Sequence, residues 1–157
     1  MKKLLLLQIL FIASFTFAQI DSFDSSYIER LKEDVDVTSK EIVGENLKLT
    51  GEEAKIFWPL YDEYMSARNP IIDHRLEIVA EYMKNYSLMD DKTAKDLINK
   101  SLKSYRDLLD VKEKYINKMY EHLPAPLVGK YFQIDNRLSA LLDLIRMSSI
   151  PLIQNEK

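Results

Sequence analysis

The chain has no cysteine, only three glycines and only two histidines in 157 residues. Without thiols it forms no disulfide, no thiolate nucleophile and no zinc–thiolate centre. Three glycines cannot build a phosphate-cradling loop and still supply ordinary turns. Basic side chains are in deficit, 22 against 25 acidic, for a net charge of −3. That balance argues against a nucleic-acid partner, which needs a basic surface. What is present is globular, with 46% hydrophobic and 30% charged residues, richer in apolar groups than a disordered chain. The length is that of one domain.

The N-terminus reads as a secretory signal peptide. Met1-Lys2-Lys3 is a short basic start, and Leu4 to Phe17 is an apolar run of about fourteen residues. Thr16-Phe17-Ala18 ends it with a small residue at each position a signal peptidase reads. The run is shorter than the ~20 apolar residues that span a bilayer, so cleavage after Ala18 is expected rather than anchoring. Residues 19–157 then form one all-helical domain with no membrane-spanning segment. Losing Lys2 and Lys3 with the leader leaves 20 basic against 25 acidic side chains, a net charge of −5. Such a chain enters an oxidising space without a disulfide, and at this size its core can suffice without one.

The rest of the chain has helical periodicity throughout. Tyr27, Leu31, Val35 and Ile42 predict a helix over about 25–45, with Gly44 as its stop. Thr50-Gly51-Glu52-Glu53 fits a capping box, with Leu49 and Ala54 placed as a hydrophobic staple. Behind it Phe57, Tyr64, Ile71 and Ile78 recur every seven residues, beside Trp58, Met65, Ile72, Val79 and Tyr86. Two adjacent columns make a wide apolar stripe. The segment from 51 to about 86 is one long bent helix or two in series, with Pro70 expected to kink it. Ser87 to Asp91 is a turn with Asp90 as cap. A helix over about 91–122 carries Leu102, Leu109, Ile116 and Leu123 in one column and Ile98, Tyr105 and Met119 in the next, interrupted by Lys112. Pro124-Ala125-Pro126 stops it, a last helix follows over about 126–147, and Pro151 marks an extended tail. No stretch alternates long enough for a strand. The fold class is all-α: a bundle or long bent helical hairpin of about four helices.

Residues able to carry chemistry are few. His122 sits at a helix end beside Glu121, where a partly charged imidazole suits the helix dipole. Asp73, His74 and Glu77, with Glu81 beyond, are the only candidate metal ligands, but with Arg75 and Lys84 nearby they read as a solvated acidic face rather than a metal site. Neither histidine has a glutamate three residues before it, so a di-iron bundle is not encoded. Neither an enzyme nor a cofactor site is expected. The remaining feature is aromatic: Phe57, Trp58, Tyr61 and Tyr64 crowd two turns, with Tyr82 and Tyr86 further along. These rings serve either as core or as a half-exposed binding surface, for which tyrosine and tryptophan suit. Met65, Met83, Met89, Met119 and Met147 add adaptable contact area.

Leu49-Thr50-Gly51-Glu52-Glu53, opening a helix in a small exported helical chain, resembles the Leu-Thr-x-x-Gln signature of the Spy/CpxP family, with Glu53 in place of the glutamine. Leu49 to Tyr64, with Leu123-Pro-Ala-Pro and Tyr131-Phe-Gln-Ile-Asp-Asn-Arg137, is similar to a group of exported Bacteroidetes proteins labelled sensors of extracytoplasmic-function sigma factors. The resemblance implies a periplasmic helical protein, typically a dimer. It also implies ATP-independent, chaperone-like binding of unfolded or apolar protein segments in envelope stress. The second likeness implies instead a sensor acting on a membrane-bound anti-sigma partner, and a weak metal sensor is a third expectation. The contact residues expected are Trp58, Tyr61, Tyr64 and Met65, with Arg68 and Arg75 attracting acidic clients.

Overall fold

Four helices carry the apolar spacing read above, and the described residues contain no strand. The structure is a computed structural model that describes residues 38–148 and 150–154. The signal peptide and residues 25–37 of the first expected helix lie outside the described residues. The unit that carries the fold starts at Ile42, and of the preceding unit only residues 38–41 are described, within a helix.

That helix, α1, is described over 38–47 and does not stop at Gly44. Val43 and Leu47, one turn apart, are both buried, which carries the helix on for another turn. Gly44 lies under the Trp58 indole, where a Cβ would sit 3.5 Å from the ring. The stop is Lys48, whose φ of 54° is left-handed, the conformation that ends many helices and that glycine adopts most easily.

Helix α2, Gly51–Asn85, opens on the expected capping box. The Glu53 N–H donates to the Thr50 hydroxyl at 3.3 Å, and the Thr50 N–H donates to the Glu53 carboxylate at 2.8 Å. It is one helix of 35 residues with Pro59 and Pro70 both inside it. Each proline withholds one N–H from the carbonyl four residues before it, and the long packed face holds the helix across both gaps.

Helix α3, Asp91–Tyr120, starts from Asp90, whose carboxylate accepts from the Thr93 N–H at 2.8 Å. Its 30 residues give about 45 Å of rise. Helix α4, Ala125–Ser148, begins one residue earlier than expected, so Pro126 falls inside it. A first-turn N–H has no intrahelical acceptor, so proline costs nothing there. The Pro124 carbonyl accepts from Leu127 and Val128 instead.

The packing register follows from cross-helix pairs. Glu63 meets Lys118, Tyr64 meets Tyr115, Arg75 meets Tyr105 and Glu81 meets Lys100, so α2 and α3 form a long antiparallel hairpin. Tyr64 meets Asp135, Arg75 meets Asp143 and Tyr82 meets Pro151, so α4 returns parallel to α2. The tail after α4 is non-helical and tied to the far end of α2. Tyr82 donates its hydroxyl to the Pro151 carbonyl at 2.6 Å, and the Gln154 N–H reaches the Tyr86 carbonyl at 3.3 Å. No helix among the described residues is long and apolar enough to cross a membrane.

Candidate binding surface

The aromatic cluster is the core. Phe57, Tyr61, Tyr64, Tyr115 and Tyr131 are all buried and join Val43, Leu47, Met119, Leu123 and Val128 in one cluster. Phe57 meets Trp58 and Tyr131 edge-on, with centroids 5.1 Å apart in each case, the arrangement ring quadrupoles favour. Tyr61 and Tyr64, expected at the binding surface, therefore present no ring face to a partner: they are 4% and 3% exposed. Trp58 and Met65 pack against the same cluster and are half-buried. Arg68 and Arg75 are also half-buried, and Arg75 joins a different constellation, described below.

A polar group closes the core where the three long helices meet. Lys112, which interrupts an apolar column of α3, points at α4, with its ammonium 2.6 Å from the Asp135 carboxylate and 2.9 Å from the Asn136 amide oxygen. The Tyr64 hydroxyl donates to the same carboxylate at 3.5 Å. Burial, then the Asp135 charge, raises the phenol pKa of both Tyr64 and Tyr131 well above the ordinary value. Phenols held neutral in this way are poor bases. The space enclosed by Tyr64, Lys112, Tyr115, Tyr131 and Asp135 is too small for a water molecule. It has no room for a substrate, so the group is a tie between helices.

The candidate metal ligands are not gathered. His74 Nδ1 lies 3.1 Å from the Glu77 carboxylate, both exposed. Among the described residues no three His, Cys, Asp or Glu side chains come together as a metal site. An open depression of about 620 Å³ lies over Pro59, Asp62, Glu63, Ser66, Ala67 and Tyr115, and its shallow, acidic lining offers no enclosed pocket.

The surface that stands out lies on α3. Ile98, Leu102, Tyr105 and Leu109 follow one another at 4-3-4 spacing, which places them on one helical face. The periodicity marks them as packing positions, yet they are 58%, 49%, 42% and 62% exposed. Further along the same columns Ile116 packs against the core while Met119 and Leu123 are buried in it. The stripe is thus the continuation of a core face that the other described helices leave largely open, with Arg75 of α2 reaching over it at Tyr105. Leu141, Leu144 and Met147 on the later turns of α4 are exposed as well.

Two arginines, Arg75 and Arg146, meet beside the stripe. The Arg75 guanidinium stands 4.4 Å above the Tyr105 ring, and its Nη2 lies 3.4 Å from the Asp143 carboxylate of α4. Arg146 reaches the same carboxylate oxygen at 2.7 Å. Burial first, with repulsion from Arg75 and Arg68, lowers the Arg146 pKa, while Asp143 opposes the shift. Among the described residues Asp143 is the one carboxylate in ion-pair range of Arg75 and Arg146. Asp143 and Arg146 did have a signal in the sequence: Ser139, Asp143 and Arg146 form a polar column at 4-3 spacing on the later turns of α4, which are otherwise mainly apolar.

Comparisons with protein-family models, with curated proteins and with solved structures return no match to this chain.

Proposed function

We propose that this chain is an exported, periplasmic binding protein of Spy/CpxP-like character, freed by cleavage after Ala18. It holds unfolded or apolar segments of other proteins without ATP, metal or a covalent step. The observation that supports this reading is the exposed stripe Ile98, Leu102, Tyr105 and Leu109. Contiguous apolar patches are uncommon on soluble monomers and mark interaction sites. At helical spacing, such a stripe offers a row of knobs to an apolar segment of many sequences.

The test is aggregation of a chemically unfolded client, followed by light scattering, with and without the purified protein. Suppression at a few-fold molar excess is expected, and Leu102→Lys with Leu109→Lys should abolish it while leaving the helical circular dichroism unchanged. No suppression by the unaltered protein at several-fold excess overturns the reading.

A further inference from the structure

The end of the hairpin away from the aromatic core carries apolar side chains that belong to no helix face. Leu88 lies in the turn between α2 and α3, and Leu152 lies in the tail after α4. They are 84% and 87% exposed, the most open large apolar side chains among the described residues. Leu88 is two residues after Tyr86 and Leu152 two before Gln154, so the Gln154–Tyr86 backbone hydrogen bond of 3.3 Å holds both at this end. Ile153, next to Leu152, is exposed as well. Behind them the half-buried rings of Tyr82 and Tyr86 stack with centroids 6.3 Å apart. Side chains this open have no wall beside them, so they make a projecting knob rather than a groove for another chain. Lys84 in the last turn of α2, with Lys92 and Lys95 in the first turns of α3, stand at the same end. All three are exposed and make no ion pair among the described residues. With Lys100 they balance Glu81, Asp90, Asp91 and Asp96, so this end is neutral in a chain of net charge −3. An anionic surface therefore repels this end least.

We infer that Leu88, Leu152 and Ile153 form a knob that docks the protein on a lipid bilayer, with Lys84, Lys92 and Lys95 meeting the lipid phosphates. A bilayer is the partner that accepts projecting aliphatic side chains without a matching cavity, because acyl chains close around them. Tyrosine rings at the base of such a knob suit the headgroup layer, with an apolar body and a polar tip. Lysine stems reach along the same boundary and keep their ammonium groups at the phosphates. No helix among the described residues is long and apolar enough to cross a membrane, so the contact is a peripheral one. It goes beyond the client-binding reading and uses none of the residues of the α3 stripe.

The experiment measures flotation of the full exported chain with phosphatidylcholine vesicles, with and without about 25% phosphatidylglycerol. Partition should be about tenfold stronger with phosphatidylglycerol at low ionic strength, and the gap should shrink as salt rises. Leu88→Asp with Leu152→Asp should abolish flotation, and its circular dichroism should be unchanged because both side chains are already open to water. Lys84→Gln with Lys92→Gln and Lys95→Gln should remove the phosphatidylglycerol preference alone. Leu152→Trp should shift its emission to the blue on vesicles, whereas Trp58, the one tryptophan of the unaltered chain, packs against the core and should not respond. Leu102→Lys with Leu109→Lys should leave flotation in place, which separates the knob from the stripe. No flotation of the unaltered chain, or flotation that survives Leu88→Asp with Leu152→Asp, overturns the inference and leaves the client reading standing. If the unaltered chain does not float and Leu88→Asp with Leu152→Asp abolishes client suppression, the knob binds polypeptide and the lipid assignment falls.

Discussion

At the residue scale, two positions contradict their local rules. Gly44 sits inside α1 with an ordinary helical backbone, and Lys48 holds the left-handed position that glycine would fill more cheaply. Exchanging the roles should stabilise the fold. Gly44→Ala and Lys48→Gly should each add about 0.5–1 kcal/mol in chemical denaturation. An alanine Cβ meets the Trp58 ring only at ordinary contact distance, so a loss on Gly44→Ala would mean the indole cannot settle against it. Lys112 and Asp135 are the converse case, a charge pair that is mostly buried, 19% and 13% exposed. Removing one partner by Lys112→Met leaves the other charge buried and should cost about 2–4 kcal/mol. Adding Asp135→Leu should recover most of that loss.

At the element scale, both long helices of the hairpin start on carboxylate caps. Backbone and side-chain hydrogen bonds from Thr50 hold the Glu53 carboxyl below its ordinary pKa, and those from Thr93 do the same for Asp90. A carboxyl lowered by folding stabilises the fold above its unfolded pKa, and that contribution disappears as pH falls through the folded one. Thermal melts should therefore drop below about pH 4, and Glu53→Gln with Asp90→Ala should flatten that acid limb. Lys118, bonded to Glu63, and Lys100, bonded to Asp96 and Glu81, are shifted upward, so their share is lost on the alkaline side. These caps, the proline positions and the seven-residue columns were legible because each is a local rule with a local cause. The all-α class followed from them. The continuation of α1 to Lys48 was not legible, because it depends on burial of Val43 and Leu47 against distant residues. The unbroken passage of α2 through Pro70 depends likewise on the packed length of its face.

At the scale of the whole molecule, the core and the exposed apolar residues separate. The buried aromatic cluster occupies the start of α2, the end of α3 and the start of α4. Most of the exposed large apolar side chains gather toward the other end, on early α3, late α4 and the tail, with Ile56, Tyr120 and Phe132 the exceptions. Amide exchange should follow this polarity. Residues 57–64, 115–123 and 128–135 should exchange slowest, and the turn around Leu88 with the first turns of α3 much faster. Uniform protection along α3 would contradict it. The same polarity explains why sequence reasoning did not separate the buried rings from the exposed stripe. A column of apolar residues at helical spacing looks the same whether a neighbour covers it or not. Trp58, Tyr61 and Tyr64 drew attention by composition, while Ile98, Leu102 and Leu109 looked like ordinary core. Only the return path of α4 decides between them.

That return path also sets an order of assembly. The α2–α3 contacts close across one tight turn, whereas the Tyr64–Asp135 and Tyr82–Pro151 bonds join residues 71 and 69 positions apart. Loop closure over such separations costs entropy before any contact repays it. The hairpin thus zips first, and the last helix with its tail latches late, after the main barrier. Tyr82→Phe removes the latch at Pro151 and should speed unfolding while leaving the folding rate nearly unchanged in stopped-flow traces. The two hydrogen bonds that bind the tail to the end of α2 then act as a clock on the folded state: they set how long it lasts, not how fast it forms.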